Sequence, residues 1–124
     1  MIIEKELLFE GSKGEATLLA MFDSGASYSC IRPDHAEQLE TPVVIRHPFK
    51  IETASEGHFI EVEQRISLDF YIEDYHFSDE FVLVPNLSEA IIIGAGTLQK
   101  WRFKLDFDKD DVIFDPRVTK LRLV

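Results

Sequence analysis

From Phe59 to Glu73 apolar and polar side chains alternate. Ile60, Val62, Ile66, Leu68, Phe70 and Ile72 share one parity, broken by Gln64. Glu61, Glu63, Arg65, Ser67, Asp69 and Glu73 hold the other, with Phe59 and Tyr71 as exceptions. A sustained period of two predicts a long half-buried strand or a hairpin arm. Phe103, Leu105 and Phe107 alternate in the same way, Asp108-Lys109-Asp110-Asp111 supplies a polar turn, and Val112-Ile113-Phe114 returns. That is a hairpin pattern. A second hairpin is expected from Leu7-Leu8-Phe9, a turn through Gly11-Ser12-Lys13-Gly14, and the run Ala16 to Phe22. Helical character is confined to two short stretches. Pro33 to Leu39 has proline near its first position, where a missing N–H costs nothing, and Ala95 to Trp101 places Leu98 and Trp101 three apart. No internal repeat or low-complexity linker interrupts the chain. The expectation is an all-β fold, barrel-like or sandwich-like, with one or two short helices.

Composition narrows the class. The chain has 124 residues, 45% hydrophobic and 29% charged, which suits one soluble globular domain spanning 1–124. No apolar run approaches the roughly 18 residues of a membrane span. The formal net charge is −10, and such a surface repels phosphate backbones and anionic lipid, so neither nucleic acid nor a membrane is an expected partner. Cys30 is the sole cysteine, which rules out an intrachain disulfide and fits a reducing compartment. Met1 to Glu6 carries charge where a signal peptide needs an apolar block. A cytoplasmic location is therefore the expectation, and Asn86-Leu87-Ser88 reads as an ordinary loop rather than a glycosylation site.

The candidate chemistry lies where the apolar run Leu18 to Phe22 meets Asp23-Ser24-Gly25-Ala26. A carboxylate at the end of a buried strand is costly unless something pairs with it. Gly25 permits a tight turn in which backbone N–H groups approach the carboxylate, and the Ser24 hydroxyl can brace it. By itself the tripeptide also suits an Asx-type turn that merely caps a strand. Nearly seventy residues later come Ile91-Ile92-Ile93-Gly94 and the second helical stretch.

In this order the two segments resemble the single-lobe, retroviral-protease-like (retropepsin-like) aspartic proteases. That family shows apolar-apolar-Asp-Thr/Ser-Gly-Ala/Ser and, later, apolar-apolar-Gly before a short helix. The resemblance implies an acid-protease closed β-barrel. It also implies Asp23 as the catalytic carboxylate and Ser24, Gly25 and Ala26 as support for its loop. A substrate-covering flap would fall at Lys50 to Ile60, with substrate contacts from Ser27, Ala54, Ser55, Glu56, Gly57, His58, Ile93 and Gly94. Ser27 and Tyr28 depart from the pattern, since retroviral enzymes usually carry acidic residues there.

The motif occurs once, whereas the chemistry of the family uses two carboxylates sharing a proton. The resemblance therefore implies a homodimer with one Asp23 from each chain, a peptide or protein substrate, and no metal or cofactor. It further implies chain ends that interleave across the two-fold axis, here Met1-Ile2-Ile3 and Lys120 to Val124.

Rival chemistries find little support. Gly94-Ala95-Gly96 lacks the third glycine of a dinucleotide fingerprint, with Gln99 at that place, and too little chain follows. His35, His47, His58 and His76 are widely scattered, unlike zinc ligands. Ser24 lacks the Gly-x-Ser-x-Gly elbow of a serine hydrolase, and Cys30 reads as a buried, inert thiol. The expected function is that of an aspartic endopeptidase. The alternative is a non-catalytic peptide-binding or dimerisation module on the same fold.

Overall fold

The computed structural model describes residues 2–52 and 57–123. Strand β1 (Ile2–Gly11) and strand β2 (Gly14–Asp23) form the first hairpin, antiparallel in register from Ile2 opposite Asp23 to Gly11 opposite Gly14. After β2 the chain runs through a short strand β3 (Cys30–Ile31) and helix α1 (Pro33–Leu39). Strand β4 (Val43–Glu52) and the long β5 (Phe59–Ile72) pair as a hairpin, and β5 pairs in turn with β6 (Tyr75–Leu83). Strand β7 (Ile91–Ile93) leads into helix α2 (Ala95–Trp101). A separate two-stranded ribbon, β8 (Lys104–Asp106) with β9 (Asp111–Ile113), and a 3₁₀ turn at Pro116–Thr119 complete the chain.

The large sheet runs β1-β2-β7-β3-β6-β5-β4, and β1 also pairs with β5 through Leu8–Tyr71, Phe9–Phe70 and Glu10–Asp69. That extra pairing closes six strands into a barrel and leaves β4 outside it as an edge. The expected all-β barrel with two short helices is what the structure shows, and both helices fall on the stretches read from the sequence. Along β5 the apolar parity faces inward as expected, with Val62, Ile66, Leu68, Phe70 and Ile72 all buried. Phe107 departs from expectation. It opens the turn between β8 and β9 instead of extending the strand, and it is 41% exposed.

Inside the barrel Phe9, Phe22, Phe70, Phe77 and Phe81 are fully buried. Phe77 is their hub: its ring lies 4.8 Å from Phe103, 5.1 Å from Phe114 and 5.2 Å from Trp101, all edge to face. Such pairs add to simple burial because ring edges and faces carry opposite partial charge. A second, smaller cluster (Cys30, Val62, Val82, Val84 and Ile92) lies under the β4–β5 hairpin, with Ile51 and Ile60 packed on it half-exposed. Among the described residues no helix is long and apolar enough to cross a membrane.

The aromatic hub sets the first prediction. Phe77→Ala removes a ring from four-sided packing and should lower the free energy of unfolding by roughly 3–5 kcal/mol. Denaturant titration checks this. A loss under about 1 kcal/mol would show that the cluster collapses around the gap instead of leaving a cavity.

Candidate active site

Strands β2 and β7 run parallel in register, with Ala20 beside Ile91, Met21 beside Ile92 and Phe22 beside Ile93. The next residues, Asp23 and Gly94, therefore leave the two strands side by side. Asp23 ends β2 half-exposed. Its carbonyl accepts from the Ala26 N–H at 3.2 Å, closing a tight turn, and its Oδ1 accepts from the Gly25 N–H at 2.9 Å. Gly25 thus aims a backbone donor at the carboxylate, and a Cβ on it would sit 3.2 Å from that same oxygen.

Gly94 passes directly beneath this loop. A Cβ there would lie 2.5 Å from the Tyr28 carbonyl oxygen and 2.7 Å from that of Ala26, so no larger residue fits without displacing the loop. The segment that follows ties the loop down through its backbone: the Ala95 N–H donates to the Ala26 carbonyl at 2.6 Å and Gly96 to that of Ser27 at 3.4 Å. A buried hydroxyl chain completes the mooring. The Gly94 N–H donates to Ser29 Oγ at 2.9 Å, Ser29 Oγ contacts Thr97 Oγ1, and Thr97 Oγ1 donates to Asp79 Oδ2 at 2.7 Å. A hydroxyl has one proton. With that of Thr97 committed to the Asp79 carboxylate, Ser29 must donate to Thr97, so every bond in the chain has a fixed direction.

Beside Asp23 opens a cleft of about 450 Å³. Asp23, Gly25, Ala26 and Ser27 form one wall, Cys30, Val84 and Ile92 the floor, and Ile51, Glu52 and Ile60 of the β4–β5 hairpin the opposite side. Tyr28 stands half-exposed at one edge, its ring 5.2 Å from that of Phe49. Among the described residues no three or more His, Cys, Asp or Glu side chains gather as a metal ion requires.

A sequence model described as retroviral aspartyl protease matches residues 11–120. The chain belongs to that family. Among solved structures it is similar to the retroviral protease-like domain of Ddi1 from Leishmania major, with a TM-score of 0.67 at 18% identity over 93% of this chain and 89% of that one. It is also similar to the EIAV protease, solved in complex with the inhibitor HBY-793, with a TM-score of 0.59 at 16% identity over 86% of this chain and 94% of that one. At such identities the likeness speaks to the fold. Comparison with curated proteins returns no significant match.

With the retroviral protease fold in hand, the expected site residues separate. Asp23, Gly25, Ala26 and Ser27 meet at the cleft. Ser24 does not; it turns to a different groove, between α2 and β8. Ile93, expected at the substrate, is fully buried in the barrel core, because strand alternation puts its neighbour Ile92 on the cleft side instead. Gly94 is buried beneath the loop and serves its backbone rather than lining the cleft. Gly57 and His58 are exposed at the start of the return toward β5, Gly57 with a φ of +80°, which glycine adopts without strain. Ala54, Ser55 and Glu56 lie outside the described residues.

Sequence reasoning passed over Cys30, Val84 and Leu87 as cleft residues, and Ser29, Thr97 and Asp79 as the mooring. One signal was available. Asp79 sits at an inward parity of β6 between Phe77 and Phe81, where an unexplained acid calls for a buried partner.

Two predictions follow from this geometry. Gly94→Ala should cost roughly 1–3 kcal/mol of stability through overpacking and shift the Asp23 loop; amide chemical shifts of residues 23–28 report the displacement, and unchanged shifts would refute the close approach. Burial, reinforced by the Glu89 and Asp23 charges, pushes the Cys30 thiol up to about 11 from its ordinary 9.0. The folded state thus holds this proton more tightly than the unfolded chain, so stability should fall as pH rises from about 9 to 11. Cys30→Ala should remove that part of the alkaline loss in denaturant titrations at each pH, and an identical slope in the variant would exclude the thiol as its source.

Proposed function

We propose that this chain is an aspartic endopeptidase working as a homodimer, with a water activated between two Asp23 carboxylates, one from each chain. The observation that carries the reading is the setting of Asp23. It is a half-exposed carboxylate oriented by the Gly25 N–H, at the wall of an apolar cleft, on a loop moored from below by backbone and hydroxyl bonds.

Two carboxylates held close do not both ionise, so the pair keeps one proton. The ionised member takes a proton from the water as its oxygen attacks the scissile carbonyl carbon. The protonated member gives its proton to the carbonyl oxygen. The resulting tetrahedral diol collapses when the C–N bond breaks: the first carboxyl passes the proton it took from water to the amine nitrogen, and the second carboxylate takes a proton from a diol hydroxyl as the carbonyl re-forms, which restores the pair with one proton. No acyl-enzyme forms along this route.

An extended peptide would lie between the Asp23 loop and the β4–β5 hairpin, pairing its backbone as an added strand. Ile51, Ile60, Val84 and Ile92 would receive apolar side chains. The non-catalytic module of the same fold accounts for the cleft and for Asp23 as a turn-forming residue, but gives no reason for a half-exposed carboxylate at the cleft wall.

Asp23→Asn is the decisive variant. It keeps the shape and an acceptor for the Gly25 N–H but cannot accept the proton of water. Cleavage of a peptide library should fall by at least about 10²-fold, the usual contribution of a general acid–base group, with the melting temperature nearly unchanged. The wild-type rate should be bell-shaped in pH with its maximum on the acid side of neutrality, because the pair fails both when doubly ionised and when doubly protonated. A wild-type protein that binds peptides and cleaves none would establish the module instead.

A further inference from the structure

The hydroxyl chain beneath the Asp23 loop ends on a carboxylate, and the nature of that end group governs the rest. Asp79 lies on β6 between Phe77 and Phe81, with its side chain 21% exposed. Two donors meet it, one at each oxygen. The Thr97 hydroxyl donates to Oδ2 at 2.7 Å, and the Glu80 N–H donates to Oδ1 at 2.8 Å. Lys100 Nζ stands 3.7 Å from Oδ1, beyond hydrogen-bond reach and half-exposed, so it adds little.

The position therefore calls for two acceptors, and an ionised carboxylate has them where an amide of the same shape does not. An asparagine turned with its oxygen toward Thr97 would set its NH2 against the Glu80 N–H, donor against donor. Turned the other way, it would donate to Thr97 Oγ1. Thr97 must then donate to Ser29, which already accepts from the Gly94 N–H, and the Ser29 proton is left without a partner. A buried donor in that state is costly. The defect thus travels from β6 to the point where Gly94 passes beneath the loop.

Attachment of α2 to β6 has other sources. Trp101 Nε1 donates to the Ser78 carbonyl at 3.0 Å, and the Trp101 ring lies 5.2 Å from that of Phe77. These contacts hold the helix on the strand without Asp79. What the carboxylate adds is direction.

We propose that Asp79 is a positioning residue for Asp23. By accepting at both oxygens it draws every proton of the hydroxyl chain toward β6 and keeps Ser29 an acceptor for Gly94. That fixes the height of the loop carrying Asp23 at the cleft wall. The proposal rests on the reading of Asp23 as the catalytic carboxylate.

Kinetics and amide resonances together test it on the full chain. Asp79→Asn, Thr97→Val, Thr97→Ser and Lys100→Met are compared with wild type for kcat and KM on a cleaved library peptide. The amide shifts of residues 23–29 and of Gly94, and the thermal unfolding of each variant, are measured alongside. Misplacing a reacting group by about 1 Å costs on the order of 10²-fold, so Asp79→Asn and Thr97→Val should lose about 10- to 100-fold in kcat with KM nearly unchanged. Their loop amides should shift. Thr97→Ser keeps the hydroxyl and should hold both readouts near wild type, and Lys100→Met should leave both in place.

An Asp79→Asn protein that folds with wild-type kcat and unmoved loop amides overturns the proposal. So does Thr97→Ser as impaired as Thr97→Val, which assigns the effect to packing, or Lys100→Met as impaired as Asp79→Asn, which assigns it to the ion pair. Should Asp79→Asn fail to fold, the two Thr97 variants decide by the same comparison. A wild type that cleaves no peptide removes the endopeptidase reading, and the loop amides of Asp79→Asn then decide alone: shifted amides uphold the positioning of the loop, and unmoved ones overturn it.

Discussion

The passage of Gly94 beneath the Asp23 loop is the constraint on which the site depends. Parallel pairing of β2 with β7 brings Asp23 and Gly94 to the same level, and a missing side chain lets two backbones approach where a Cβ would stand 2.5 Å from the Tyr28 carbonyl. Close approach then makes the remaining bonds possible. Ala95 and Gly96 donate to the loop from the first turn of α2, and Ser29 accepts from the Gly94 N–H. The two motifs, separated by nearly seventy residues of sequence, are one object in space. Each is bonded to the other along its backbone, which is why an apolar-apolar-Gly segment carries information about a distant aspartate.

The buried polar chain under the loop is affordable because it is complete. Ser29 and Thr97 are 5% and 2% exposed, and a buried hydroxyl without a partner costs about 1–3 kcal/mol. Here each proton has one destination, ending on Asp79, whose other oxygen accepts from the Glu80 N–H and lies 3.7 Å from Lys100 Nζ. Among the described residues no buried side-chain polar atom lacks a partner. A fully satisfied network fixes one arrangement of β3, β6 and α2, and the loop carrying Asp23 inherits that fixity.

How much of this was legible depended on whether local pattern and tertiary role agreed. Strand β5 was legible because one face is core and the other water, so period two survives along its length. Strand β6 was not, and two features explain it. Asp79 breaks the apolar parity because it closes the hydroxyl chain. The turn before it is made by Glu73 and Asp74 at φ of 51° and 68°, a conformation that hairpin turns usually reserve for Asn-Gly or Gly-Gly. Strand β4 was legible only at Lys50 to Glu52, as the first arm of the expected flap, and the rest was hidden for a different reason: it is an edge with Val43 and Val44 exposed, it carries Pro48, and its pairing with β5 shifts between Val44 and Phe49. Edges tolerate proline and bulges where central strands do not. In the site, Asp23 and Gly94 were legible through the motif, whereas the choice between Ile92 and Ile93 turned on strand parity, which three consecutive isoleucines conceal.

In the proposed dimer each chain carries half a site, which must be stable before it is complete. Asp23 meets this by remaining wet: it is half-exposed and has the Gly25 N–H as its fixed donor, so the single chain bears little of the desolvation cost of a buried carboxylate. Its charge nevertheless reaches across the cleft, where it helps to hold the Cys30 thiol protonated. In the proposed dimer the same carboxylate would lose water and gain a like-charged neighbour together. The shared proton is then a property of the assembly and not of either chain. On this reading the chemistry stays latent in the monomer and arises where two copies meet.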